Sequence, residues 1–251
     1  SRYSVRKAEI IGRRCVAGKM KASIVLIPGM MCTGDVFTHQ NNYLNDYFNV
    51  IVIEFNQYDD IASGVKNLAP RLPSEFHLLG HSMGGIVAME LVRQFSGRVL
   101  SLALLNTNPY EEKQELREKR NQRLRELDEL NLIALMKSDH ISRYFPPNHK
   151  DKSKLIEKCV EMVSTLDKQV FYNQSVALRD RSDQTSTLKS LNCKTLLICG
   201  ENDLLCPVSY HSDMRKMIKK SVLIVLEGVG HMPTLECSKT INYHLKNFFS
   251  L

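Results

Sequence analysis

The chain has 251 residues, 43% of them apolar and 24% charged, with a formal net charge of +7. A chain of this length buries roughly 70 to 75% of its unfolded surface, so a core needs no staples, and no run of about 18 apolar residues offers a membrane span. The positive charge leaves no nucleic-acid footprint, because Lys and Arg alternate with acids, as in EEKQELREKRNQRLRELDEL, instead of forming a block.

The opening stretch, SRYSVRKAEIIGRRCVAG, alternates irregularly and is expected to supply one or two edge strands. Six short apolar runs follow: SIVLIPG (23–29), NVIVIEF (49–55), FHLLG (76–80), VLSLALL (99–105), KTLLICG (194–200) and SVLIVLE (221–227). Each has strand length and ends in a turn signal or polar step. Each is also apolar on both faces, the pattern of a strand buried between helix layers. Between them, 34–47, 60–69, 83–96, 207–219 and 233–249 read as helices. This alternation predicts an α/β fold with a mostly parallel central sheet and helices on both faces.

Between 107 and 187 the alternation stops. The stretch is polar, without a convincing strand, and has helical spacing in Leu124, Leu127 and Leu130 and again from Leu155 to Val163. It is expected to be an inserted helical cap, broken in two by YFPPNHKDK (144–152), on a core made of 1–106 and 188–251. Its first helix, over 111–130, reads most simply as solvated, with i,i+4 charge pairs. An anion-gripping lid is the alternative, because Arg holds a carboxylate bidentately and Arg117, Arg120, Arg123, Arg125, Arg143 and Arg179 are available.

One motif carries chemistry. In LLGHSMGGIVAMELV (78–92), Ser82 lies between Gly80 and Gly84 where a buried strand runs straight into a helix. Such a corner forces a strained backbone, so the residues two before and two after must be small. This is the G-x-S-x-G nucleophile elbow, which lifts a hydroxyl above the strand ends. A serine needs a base, and the base an orienting acid. His231 follows its strand through GVG and Asp203 follows KTLLICG through EN, so both are expected at the same sheet edge as Ser82. The order Ser82, Asp203, His231 suits this elbow. Asn106, at the end of another strand, is too weak an acid to compete.

Attack on a carbonyl also requires oxyanion donors. The Met83 N–H follows the nucleophile, and the Met30 N–H is expected from IVLIPGMMCTG, where Gly29 lets the chain turn. The Met30 and Met83 side chains are expected as pocket walls. His81 reads as packing or hydrogen bonding, and Pro233, Thr234 and Glu236 as the start of a helix.

The seven cysteines are odd in number and form no Cys-x-x-Cys pair, and Cys199 lies inside an apolar run. With no apolar signal core at the N-terminus, this pattern fits a cytoplasmic chain with reduced thiols. No metal-ligand spacing joins the remaining histidines, and GHSMGG lacks the dinucleotide-binding spacing. No metal and no cofactor are therefore expected, and no oligomeric state is assigned.

LIPGMMCTGDVFTHQ, LLGHSMGGIVAMELVRQF, VLSLALLNT, LLICGENDLLCPVSY and LEGVGHMPTLE stand in the order found in the α/β-hydrolase superfamily, which the chain resembles over nearly its whole length. It is similar to the compact cytoplasmic esterases with a helical cap. Pro28-Gly29 stands in place of the usual His-Gly, and EFNQYDDI replaces the usual Asp-x-x-Gly-x-Gly turn. The resemblance implies a serine hydrolase that cleaves an ester-like bond of a small-molecule acyl substrate through an acyl-enzyme, with no nucleic-acid or membrane partner. A serine at the elbow argues against haloalkane dehalogenase or epoxide hydrolase chemistry, and Met232 with no Trp in the chain against ring-cleavage hydrolases. The alternatives are a lactonase or thioesterase, a carbon–carbon lyase acting on an anionic intermediate, as in menaquinone synthesis, and a ligand-binding signalling module with little turnover.

Overall fold

The computed structural model describes residues 15–16 and 19–250. Strands β1 (Cys15–Val16) and β2 (Lys19–Met20) pair antiparallel as a sheet of their own, so they do not form an edge of the central sheet. The rest of the expected N-terminal strand region lies outside the described residues. The central sheet contains β3 (Ser23–Ile27), β4 (Asn49–Val52), β5 (Phe76–His81), β6 (Val99–Leu105), β7 (Lys194–Gly200) and β8 (Ser221–Leu226). Its order is β4-β3-β5-β6-β7-β8, and every neighbouring pair is parallel.

The helices in chain order are α1 (Thr38–Leu44), α2 (Ile61–Leu68), α3 (Met83–Phe95), α4 (Gln114–Arg125), α5 (Leu132–Asp139), α6 (Lys152–Ser164), α7 (Lys168–Arg179), α8 (Thr185–Lys189), α9 (Val208–Met217), α10 (Pro233–Glu236) and α11 (Ser238–Phe249). Those flanking the sheet pack in two groups: α1 against α11, and α2 against α3, α3 against α8, and α8 against α9. Central-strand residues such as Val25, Leu79, Ala103 and Leu197 have no exposure, which is why these segments are apolar on both faces. Among the described residues no helix is long and apolar enough to cross a membrane.

Three helices differ from expectation. The 34–47 stretch begins as a 3₁₀ turn, Gly34–Phe37, started by the Thr33 hydroxyl accepting from Asp35 N–H, and its α-helix ends at Leu44. The 233–249 stretch is split at Cys237, whose φ of −143° is not helical and whose N–H closes the first turn on the Pro233 carbonyl at 3.0 Å. Between β6 and β7, α4 packs against α7 and α5 against α6, and the break expected over 144–152 lies between α5 and α6. The helix expected over 111–130 is shorter, and none of its residues is buried.

The strand order places a crevice where it is needed. From β3 the chain steps outward to β4 and then returns to β5 on the other side, so the loops after β3 and β5 part company; ligands of open parallel sheets bind at such a point, beyond the strands' carboxyl ends. The register brings Ile27 beside Gly80, His81 beside Leu105 and Leu105 beside Ile198, which keeps those ends level. EFNQYDDI crosses this edge and is held from outside: Gln174 Nε2 donates to the Phe55 carbonyl at 2.9 Å and Asn173 Nδ2 to that of Asn56 at 3.2 Å.

Candidate active site

Ser82 occupies the corner between β5 and α3 with φ 54° and ψ −119°, a conformation L-residues rarely adopt. Close packing holds it there. A Cβ on Gly80 would run into the Gly84 backbone, and one on Gly84 into the Ile27 carbonyl, so only glycines let the strand, corner and helix approach this closely. Ser82 N–H donates to the Leu105 carbonyl at 2.9 Å, and the Ser82 carbonyl accepts from the Thr107 hydroxyl at 2.7 Å. The hydroxyl therefore sits at the N-terminus of α3, whose unpaired amides favour negative charge.

The structure brings His231 and Asp203 to this hydroxyl. His231 Nε2 lies 3.0 Å from Ser82 Oγ, and His231 Nδ1 lies 2.8 Å from Asp203 Oδ2. A carboxylate can only accept, so Nδ1 carries the proton and the Nε2 lone pair faces the serine. Asp203 also accepts from Leu205 N–H at 2.8 Å, Cys206 N–H at 2.9 Å and Asn106 Nδ2 at 2.9 Å. Burial by itself would raise its pKa, but His231 and these donors outweigh burial and hold the carboxyl well below the usual range.

His231 is fixed through its backbone too. Its N–H donates to the Tyr144 carbonyl at 2.8 Å, and its carbonyl accepts from His81 Nε2 at 2.8 Å. That bond assigns His81 its tautomer, and burial, with His231 close by, pushes the His81 pKa down to about 4. His81 is thus a neutral donor.

The loop after β3 lies directly against the serine, since a Cβ on Gly29 would sit 3.2 Å from Ser82 Cβ. Along this loop Met31 N–H is taken by Gln174 Oε1 at 2.8 Å and Cys32 N–H by the Gly29 carbonyl at 3.2 Å. Among the described residues no protein acceptor pairs with the Met30 or Met83 amide. The two expected oxyanion donors are therefore the amides left open, and both residues line the cavity above Ser82. This cavity, of about 670 Å³, is walled by α4, α5 and α7, through residues such as Leu116, Asp139, Phe171 and Leu178, and by His140 just after α5.

Asp203, Cys206 and His231 offer ligand atoms within 4.8 Å of one another. They suit a metal poorly, because the imidazole and carboxylate already share a hydrogen bond and burial, then Asp203, pushes the Cys206 thiol far up, keeping it protonated.

A model of the Alpha/beta hydrolase family matches residues 24–241. The chain belongs to this family. A curated relative, pimeloyl-[acyl-carrier protein] methyl ester esterase from Aliivibrio fischeri, is 23% identical over 246 residues, covering 91% of this chain and 94% of its own. Among solved structures, a malate-bound thermophilic esterase from Thermogutta terrifontis is similar with a TM-score of 0.86 and 22% identity, covering 91% of this chain and 89% of that one. The enol-lactonase from Burkholderia xenovorans is similar with a TM-score of 0.83 and 16% identity, covering 94% of each chain.

Within this alpha/beta hydrolase, several contacts around the three side chains are not evident from motifs. Asn106, at φ 49°, bridges Asp203 Oδ2 and the Gly230 carbonyl, the latter at 3.1 Å, so the strand-end residue too weak to be the acid braces it instead. Glu236 brackets His231: its carboxylate accepts from Gly230 N–H at 3.0 Å and from Met232 N–H at 3.2 Å. The only sequence signal for Glu236 was its place in the first turn of the helix expected over 233–249. Of the six arginines singled out between 107 and 187, Arg120, Arg123 and Arg143 line the cavity; Arg117, Arg125 and Arg179 do not. Arg181, which sequence patterns did not mark, lines it as well.

Proposed function

We propose that this alpha/beta hydrolase is a serine hydrolase of carboxylesterase type, acting on an ester-like bond of a small-molecule acyl substrate. The observation that carries the reading is the unbroken row from Ser82 Oγ through His231 to Asp203, at 3.0 and 2.8 Å, opening on the cavity. Ser82 attacks the carbonyl while His231 Nε2 takes its proton and Asp203 stabilises the imidazolium; the Met30 and Met83 amides receive the oxyanion. His231 then protonates the leaving alcohol, and water, activated by the same imidazole, releases the acid.

In this reading residues 107–187 act as a helical cap on a core of 1–106 and 188–251, and the cap decides which acyl group fits. The chemistry asks for no cofactor. The name of the curated relative, a methyl ester esterase, makes acyl methyl esters the first substrates to try. A lactone or thioester carbonyl would use the same residues. A cytoplasmic setting belongs to the same proposal, and it is supported by Cys32, Cys159, Cys193, Cys199, Cys206 and Cys237, which are all free thiols.

The test is turnover of a series of acyl methyl and chromogenic esters of rising chain length by wild type and Ser82→Ala. Hydrolysis that falls by about 10³-fold or more in the variant supports the reading, and hydrolysis that survives the substitution overturns it.

A further inference from the structure

The cavity wall contains a cation whose charge and hydrogen-bonding capacity are unmatched. Arg120, on α4, is 18% exposed, and its Nε donates to Glu112 Oε2 at 2.7 Å. Glu112, only 3% exposed, gives the same oxygen to Arg181 Nη1 at 3.0 Å, and Arg181 is 5% exposed. Two guanidiniums drawn largely out of water thus share one carboxylate, and one positive charge is left over.

The two arginines are not equivalent. Arg181 is also bound to the carbonyls of Tyr110 and Leu178, at 2.9 and 3.1 Å, so it is tied into the wall. Arg120 has five N–H donors, of which Nε alone meets an oxygen. Its Nη1 approaches only the sulfur of Met30, at 3.9 Å, and among the described residues Nη2 has no acceptor. The other cations nearby are satisfied or solvated: Arg123 grips Asp139 at 2.8 and 3.2 Å, Arg143 donates to the Asp139 carbonyl, and Arg143, Lys113 and Lys119 are exposed. A partly buried guanidinium whose open donors face a cavity gains charge-assisted hydrogen bonds when an anion supplies the acceptors.

Its position narrows the ligand. The guanidinium touches the side chain of Met30, whose backbone amide is the candidate oxyanion donor, so it lies a few bonds' length from where the scissile carbonyl would sit. One surplus charge on a planar fork with its Nη edge open matches a single carboxylate better than a dianion.

We propose that Arg120 is the anion-recognition residue of this cavity, and that the preferred substrate is an ester carrying a free carboxylate a few carbons from its scissile carbonyl. The inference rests on the esterase reading above. The field at this wall agrees with it: burial, then Arg120, Arg143 and Lys119, depress the His140 pKa to about 3, so His140 is neutral and does not itself hold the anion.

The test compares kcat/KM for monomethyl glutarate, adipate and pimelate with that for the methyl ester of the matching unbranched monocarboxylic acid. Wild type is expected to favour the carboxylate-bearing ester at one chain length or more by about tenfold or better, mainly through KM. Arg120→Met should cut that preference about tenfold or more, and Arg120→Lys, which keeps the charge beside Glu112, should retain part of it. Equal or better use of the neutral ester at every length, or a preference that survives Arg120→Met, overturns the proposal. Calorimetric titration of Ser82→Ala with monomethyl glutarate reads the site without turnover. Saturable binding lost on adding Arg120→Met supports the anion site even if no ester is hydrolysed, whereas absence of binding overturns it. Failure of the esterase reading appears separately, as no fluorophosphonate adduct on Ser82.

Discussion

Asp203→Asn is the most informative single change at this site, because the carboxylate is surrounded only by donors. Its Oδ1 accepts two backbone N–H groups, from Leu205 and Cys206, and its Oδ2 accepts from His231 Nδ1 and Asn106 Nδ2. An amide can turn only one oxygen toward one of these pairs. With that oxygen on the backbone pair, its NH₂ faces His231, and the imidazole must present Nδ1 as acceptor and carry its proton on Nε2. Ser82 then meets a donor where it needs a base. Turning the amide over keeps the tautomer but opposes NH₂ to two buried backbone donors, at about 1 to 3 kcal/mol for each unmet group. Either way the negative charge that stabilises the imidazolium is gone. The expected loss is about 10³ to 10⁴ in kcat, or about 4 to 5.5 kcal/mol of barrier. Steady-state hydrolysis of a chromogenic ester measures it, with a melting curve to show that the variant folds. A folded Asp203→Asn protein with kcat within tenfold of wild type would refute the assigned role of Asp203.

Stability should fall on acidification. The buried His81 titrates near 4 in the fold against 6.5 for an ordinary histidine, so between these values the unfolded chain binds the extra proton. Its contribution, on the order of 3 kcal/mol, is present in full above about pH 6.5 and disappears as pH falls through about 4. The depressed His140 and Asp203 act in the same sense, Asp203 at still lower pH. Urea midpoints at pH 7.5, 5.5 and 4.5 should therefore decline, with a shallower slope in His81→Gln, and a flat profile would contradict the assignment of His81 as a neutral donor. Gly84→Ala should lower the melting temperature and slow Ser82 labelling together, because its Cβ meets the Ile27 carbonyl, at a cost of about 1 to 3 kcal/mol or more; unchanged melting and labelling would count against the tight corner. Asn106→Ala removes a donor from both Asp203 and the Gly230 carbonyl. It should destabilise by about 1 to 3 kcal/mol and reduce kcat about tenfold, measured by melting and turnover on one preparation.

What could be read in the sequence follows from how local its cause is. The strands over 99–105 and 194–200 match expectation residue for residue, because continuous apolar runs that short, bounded by turn signals, suit a strand covered on both sides. The elbow was legible because its two glycines stand at fixed places two residues on either side of Ser82, even though what Gly84 must clear, the Ile27 carbonyl, lies on another strand. His231 and Asp203 could be expected near it since each follows a strand by a few residues and the strands of the central sheet are parallel. The bracing contacts were hidden because they span the chain: Gln174 reaches Met31 across 143 positions, and Asn106 meets Asp203 across 97. Glu236 escaped for a different reason. Its carboxylate turns back to the loop around His231 instead of serving its own helix, and no spacing rule distinguishes the two. The helix split at Cys237 was concealed by apolar spacing that runs through it unbroken.

The most direct test of Ser82 as the nucleophile is intact-mass measurement after treatment with a fluorophosphonate, for wild type and Ser82→Ala side by side. One adduct on wild type and none on Ser82→Ala is the expected result. An adduct that persists in Ser82→Ala, or wild type left unlabelled, would contradict the central claim.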